Sequence, residues 1–325
     1  MKPFLLLCGC AVWLWPAVGA AAAEKPFATT AQFEFYNHYW TNVHHFLYHQ
    51  AQKEAEASVL DSLEQAVIAK LNTEERAIYK QAVDFYKKYL ATRSLLRDEV
   101  MRNIRTCLIQ YRENEVPSCE TLEQEHIELF KTFGKVYKKH FWKLHEAHNA
   151  RQFNQHLPML KQLEAEVLQR IATLGNTSWG KDKIRVDLSA YASRSGAYNL
   201  PDPTIIVLAT ANHRLPGTQW LEMLFHEAAH SIIKAETGAL SLQITRASDT
   251  LGKQPPYDFW HIVLFYIAGK ATQEALAKRG IEHTLYMETQ GIARRYYSVL
   301  SENMDVYLEG RISLYEALRR TIDRV

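Results

Sequence analysis

Apolar spacing changes character once along this chain, at Gly175, and that change limits the fold more than any other feature. From about Thr30 to Tyr111 the sequence is almost free of Gly and Pro and rich in Ala, Leu, Glu, Lys and Gln, which predicts several helices. Asn72-Thr73-Glu74-Glu75 supplies a capping signal for one of them, carrying Ala77, Ile78, Ala82, Phe85, Tyr86 and Leu90. After a turn at Pro117, helical spacing resumes at about Leu122 through Phe130, Phe133, Val136, Tyr137, Phe141 and Leu144. It continues from about Ala150 through Leu160, Leu163, Val167 and Ile171 to Leu174. Asn176-Thr177-Ser178-Trp179-Gly180 then breaks the pattern, and Ile184 to Tyr191 alternates as a strand does. A second strand is expected over Thr204 to Thr210, with Ala190 to Asp202 as the hairpin connection between the two. The expected fold is α+β and predominantly helical. A helical region at 24–174 precedes a domain at 175–325 holding a small antiparallel sheet, and no internal repeat is present.

Within the second region, His226-Glu227-Ala228-Ala229-His230 spells H-E-x-x-H inside an apolar run from Leu221 to Ile233. Residues four apart on a helix share a face, so His226 and His230 would present two imidazoles toward one ion. Glu227 then stands beside the ion without ligating it, placed to take a proton from a metal-activated water. Two histidines and a glutamate on an apolar helix are costly as bare polar groups and become reasonable when a cation satisfies them. No Pro or Gly interrupts Gln219 to Glu236, so the helix is expected to run through the motif, with Thr218 as its N-cap.

Strands, a loop and then an H-E-x-x-H helix resemble the catalytic core of the zincin superfamily of zinc metallopeptidases, over roughly Lys183 to Ala275. The resemblance implies one Zn2+ per chain, with Glu227 as general base. It also implies that the strand before the metal helix is an exposed edge to which extended peptide adds. That role falls on Ile205, Val207 and Ala209 as substrate-binding residues.

A catalytic zinc commonly takes three protein ligands, so one more is needed. The metzincin continuation requires Gly and His where this chain has Ile233 and Glu236. The gluzincin pattern places a Glu on a later helix, and the apolar stretch Asp258 to Arg279 offers His261 and Glu274. Lys270, Glu274 and Lys278 follow at four-residue steps, a charge ladder on a solvated face. His261 shares its face with Leu264, Phe265, Ala268, Thr272 and Ala275. His261 is therefore the expected third ligand, with Glu274 as the alternative and the subfamily pattern atypical.

Other side chains carry weaker signals. His45 and His49 also stand four apart and admit a second metal site, although an aromatic helix face packed on the catalytic half is the preferred reading. His145 and His148, beside Glu146, read as a surface helix. Tyr286, Arg295, Tyr296 and Tyr297 have the chemistry to stabilise an oxyanion.

The first 23 residues read as a signal peptide: Lys2, an apolar stretch from Phe4 to Val18, then Gly19-Ala20-Ala21-Ala22-Ala23, with cleavage after Ala20, Ala22 or Ala23. Leu7-Cys8-Gly9-Cys10 has too little apolar chain before it for a lipoprotein signal. Nothing else is long and apolar enough to span a membrane, so export to the periplasm or outside the cell is expected. Losing Cys8 and Cys10 leaves Cys107 and Cys119, a plausible disulfide in an oxidising compartment. The net charge of +2, without a basic stripe, argues against a nucleic-acid partner, and Lys138-Lys139-His140 and Arg294-Arg295 read as solvated helix faces. The sequence thus points to a secreted zinc-dependent peptidase acting on peptides or proteins. Its alternatives are a non-catalytic zincin-fold binding or scaffold protein with a structural or lost metal, and hydrolysis of a non-peptide amide.

Overall fold

The computed structural model of the chain describes residues 24–52, 58–201 and 204–325. The expected signal peptide at 1–23, Cys8, Cys10 and the turn residue Asp202 therefore lie outside the described residues.

The chain enters through two short strands, β1 (Ala28–Thr29) and β2 (Phe33–Tyr36), inside the region expected to be all helix. Phe33 and Phe35 alternate into the core, and Phe35 meets Phe153 at 4.7 Å between ring centroids. Helices α1 (Tyr39–Gln52), α2 (Asp61–Ala69), α3 (Thr73–Tyr89) and α4 (Glu99–Leu108) follow. The capping box at Asn72 forms as expected: Glu75 N donates to Asn72 Oδ1 at 2.8 Å and Asn72 N to Glu75 Oε2 at 3.2 Å. The disulfide between Cys107 and Cys119 ties the end of α4 to the loop before α5 (Gln124–Tyr137). A π-helical turn at Lys138–Trp142 joins α5 to the long α6 (Lys143–Leu174).

Three strands come next, β3 (Ile184–Ser189), β4 (Ala197–Pro201) and β5 (Thr204–Ala209). The sheet order is β1-β2-β3-β5-β4. Strand β2 runs parallel to β3 and β3 parallel to β5, while β1 and β4 pair antiparallel at the two ends, so the sheet is mixed where an antiparallel one was expected. The supposed hairpin connection at 190–202 carries β4, which folds back on β5 and closes its outer side. Strand β5 is thus interior, with Val207 opposite Asp187 on one side and Tyr198 on the other. Its apolar run explains this: Ile206 and Leu208 face one core and Val207 the other, all fully buried.

The sheet separates two cores. On one face Val186, Leu188, Ile206 and Leu208 pack against the second half of α6, α7 (Gln219–Ala229), α8 (Ala239–Leu251) and α9 (Phe259–Ala277). The short α10 (Tyr286–Thr289), α11 (Tyr297–Leu308) and α12 (Leu314–Arg324) complete that side. On the other face Tyr198, Leu200 and Val207 pack with α1, α3, α4 and α5. Buried Arg105 of α4 reaches this face, its guanidinium 5.3 Å from the centroid of Tyr198 and 3.9 Å from Asp187 Oδ2. Gly175 marks the change of spacing but not the division between cores, because β2 and residues 153–174 belong to the same core as α7 and α9.

His145 and His148, expected on a surface, are both buried. His145 Nδ1 lies 2.7 Å from Tyr137 Oη and its Nε2 2.9 Å from Oε1 of fully buried Glu64. Gln50 Nε2 donates to the other Glu64 oxygen at 2.6 Å, and Tyr191 Oη donates to Oε1. No helix among the described residues is long and apolar enough to cross a membrane.

Candidate metal centre

Helix α7 delivers His226 and Glu227 in its last turn and ends with His230 as its C-cap. The helix stops short of the expected run to Glu236. Ser231 N and Ile232 N reach back only three residues, to the carbonyls of Ala228 and Ala229, and the Ser231 hydroxyl also donates to Ala228 O at 2.8 Å. Thr218 occupies the N-cap position, yet its hydroxyl makes no cap and meets His283 Nδ1 at 2.8 Å. His283 Nε2 in turn lies 2.7 Å from Oε2 of buried Glu222, which also accepts from Tyr286 N at 2.8 Å. This buried set anchors α10 to α7 one helical turn behind the motif.

Helix α9 brings His261 opposite. The ligand atoms of His226, His230 and His261 all lie within 4.8 Å of one another, and His226 Nε2 stands 3.2 Å from His261 Nε2. Nitrogens bound at about 2.0–2.1 Å to a tetrahedral zinc lie about 3.3 Å apart, so the spacing suits a shared ion. Asp258, at the N-cap of α9 in the left-handed region (φ 57°), sets its Oδ2 3.1 Å from His261 Nδ1. A carboxylate behind a ligating imidazole fixes its tautomer and orients the other nitrogen. Phe265, one turn along α9, stacks on His226 at 3.6 Å between centroids, and Trp260 stands edge-on to His230 at 5.6 Å. His226 Nδ1 is buried without a hydrogen-bond partner among the described residues.

Burial is the main force holding the three imidazoles neutral. His226 lies well below its ordinary 6.5, His230 falls to about 3, and His261 is also lowered although Asp258 opposes the shift. Neutral imidazole is the ligating form. Burial likewise pushes the Glu227 carboxyl up to about 8, with the Asn199 amide pulling the other way. Asn199 Nδ2 also donates to the Glu227 carbonyl at 3.0 Å, which fastens β4 to the motif.

The centre opens into a cleft of about 930 Å³. Tyr48, Leu95 and Arg97 line it from the helical region. Ala197, Tyr198 and Asn199 of β4 and Trp260 of α9 also line it.

His226, Glu227, His230 and His261 come together as expected. Glu274 does not: it forms a two-pronged pair with Arg170 at 2.8 and 3.1 Å on another side of α9. Its neighbours Lys270 and Lys278 pair with Asp305 and Glu166, so the supposed ladder is three separate ion pairs. Ile205, Val207 and Ala209 are excluded as an edge by their pairing on both sides, and β4 is the strand beside the centre. None of the four oxyanion candidates lines the cleft. Tyr286 stacks behind Phe265 at 6.0 Å and donates to Ser195 O at 3.1 Å, Tyr297 donates to Glu288, Tyr296 packs 6.2 Å from Phe259, and Arg295 is exposed. His45 belongs to the packing role, its nitrogens meeting Thr41 O at 2.6 Å and Tyr198 Oη at 2.8 Å, while His49 stacks on Tyr191 at 3.8 Å. Asp258 and Asn199 were not anticipated. The only available signal was an acid three residues before His261 at a helix start.

Comparison of the chain with family models, with curated proteins and with solved structures finds no match in any of the three.

Proposed function

We propose that this protein is an exported zinc-dependent peptidase, with a fold core of zincin type. The observation that carries the reading is the convergence of three neutral imidazoles beside a buried carboxylate at the base of a cleft that the outermost strand borders. His226, His230 and His261 would hold the ion, and their donor set suits zinc. Bound zinc would supply Lewis acidity, polarising the scissile carbonyl and acidifying water.

The rest is the work of the chain. Glu227 takes the proton of the attacking water on a carboxylate oxygen and passes it to the nitrogen of the departing amine. Burial gives it a stronger hold on a proton than an exposed acid has, which suits a group that accepts and returns one. Asp258 keeps His261 turned toward its partners. Strand β4 offers main-chain groups to an extended peptide, and its tie through Asn199 sets that peptide alongside Glu227. The disulfide and the absence of a membrane-crossing helix among the described residues are consistent with export.

The test is a mixed peptide pool incubated with wild type and with Glu227→Gln, compared by product mass. Cleavage should fall by about 100-fold or more with metal content unchanged. Cleavage retained in Glu227→Gln contradicts the mechanism. A second reading, a secreted binding protein with a structural metal, draws on the absence of the four oxyanion candidates from the cleft. Metal retained by wild type with no peptide product would favour it.

A further inference from the structure

The whole chain is nearly balanced in charge, with 38 Lys and Arg against 36 Asp and Glu, but its cleft is not. Lys87 and Arg97 line it from the helical region and Arg194 and Lys234 from the catalytic side, while its acidic groups are Glu227 and Asp258. Glu227 is buried at the base of the cleft and Asp258 meets His261. Cations elsewhere are commonly paired, as Lys139 is with Glu75 at 2.6 Å and Arg170 with Glu274 at 2.8 Å. Arg97 and Lys234 have no side-chain ion pair or hydrogen bond among the described residues. Both line the cleft, Arg97 from the loop before α4 and Lys234 from one turn beyond His230. Their charges reach the centre, Arg97 acting on His261 and Lys234 on His230.

Two cations without an ion pair in one cleft, with Glu227 buried and Asp258 turned to His261, complement an anion lying in the cleft. Two such cations are fewer than a continuous basic stripe that tracks a phosphate backbone. A guanidinium and an ammonium next to a strand edge suit a carboxylate carried by an extended peptide. We propose that the cleft selects peptides bearing a carboxylate close to the cleaved bond, held by Arg97 and Lys234, supplied by an acidic side chain or a free C-terminus. This rests on the peptidase reading and names its substrate class.

Binding separates the two ideas. Zinc-loaded Glu227→Gln protein is titrated with synthetic peptide twins, one pair differing as Glu against Gln and another as free against amidated C-terminus. The carboxylate member of at least one pair should bind about 10-fold tighter, as expected for a hydrogen bond to a charged group at a partly exposed site. The pair that shows the preference identifies the source. Adding Arg97→Gln or Lys234→Gln should each weaken that preference several-fold, and both together should abolish it. Arg97 is exposed and Lys234 half-buried, so neither change opens the core, and thermal melting verifies the fold. Equal binding of the twins overturns the proposal. A preference that survives both substitutions also overturns it, since the carboxylate then sits on the metal. If wild type cleaves neutral and acidic twins alike, the selectivity fails and the peptidase reading stands. A preference that depends on Arg97 and Lys234, with no cleavage by wild type, leaves the anion site standing and removes the peptidase.

Discussion

In the N-terminal half of the molecule His38, His45 and His145 each meet two oxygens, while around α7 and α9 His226 and His261 meet each other. His38 contacts Thr41 Oγ1 and Tyr111 O at 3.0 Å each, His45 the Thr41 carbonyl and Tyr198, His145 Tyr137 and Glu64. At the centre His226 Nε2 faces His261 Nε2 at 3.2 Å, and His226 Nδ1 has no hydrogen-bond partner among the described residues. Burying an imidazole costs free energy unless both nitrogens are satisfied. For His38, His45 and His145 the chain supplies both partners, although buried His44 Nε2 and His126 have none among the described residues, whereas the facing nitrogens of His226 and His261 suit a shared cation. Burial and helical spacing are common to both sets, so neither property distinguishes a ligand from a core histidine; the chemistry of the facing atom does.

The largest effect that would break this comparison is in the oxygen-paired set. His145→Ala removes one partner each from buried Glu64 and Tyr137 and leaves a cavity, and thermal or denaturant unfolding should show a loss on the order of 5 kcal/mol. Added zinc should leave that loss unchanged. Next, saturating wild type with zinc at about a thousand times its Kd should raise stability by about 4 kcal/mol, and a chelator should reverse it. Absence of a zinc-dependent melting shift would place the central set with the first.

Acid sharpens the contrast in metal-free protein. Burial lowers His38 and His45 from 6.5 to about 4, so between those values the unfolded chain takes up protons that the folded chain refuses. Their stabilising effect is complete above about pH 6.5 and declines as the pH falls toward 4. The loss is on the order of 3 kcal/mol for each histidine, read from denaturation midpoints across that range. The smallest effect concerns Asp258. Asp258→Asn should weaken zinc binding by about 10- to 100-fold while barely moving the melting temperature of the metal-free protein.

How much of this was legible in the sequence depended on distance along the chain. The Asn72 cap and the Cys107–Cys119 disulfide are local patterns with their expected form, and the H-E-x-x-H histidines share a face as expected although their helix ends at Ala229. His261 was reachable because the apolar face of α9 could be read by spacing, and the same spacing put Glu274 elsewhere. Strand order was not legible: β2 pairs with a strand about 150 residues on, and the apolar run of β5 marks burial on both faces without saying which strand flanks it. His145 looked exposed because Glu146 and His148 surround it, while the groups that make its burial tolerable, Glu64 and Tyr191, come from distant segments. The oxyanion candidates were chosen by chemistry alone, and chemistry does not aim a side chain.

The central claim, that His226, His230 and His261 share one metal ion, is tested most directly by zinc content per folded chain for wild type, His226→Ala and His261→Ala after equilibration with zinc and removal of excess. The account predicts about one zinc in wild type and little in either variant, with both variants folded. Wild type that retains no zinc, or variants that retain as much as wild type, would contradict it.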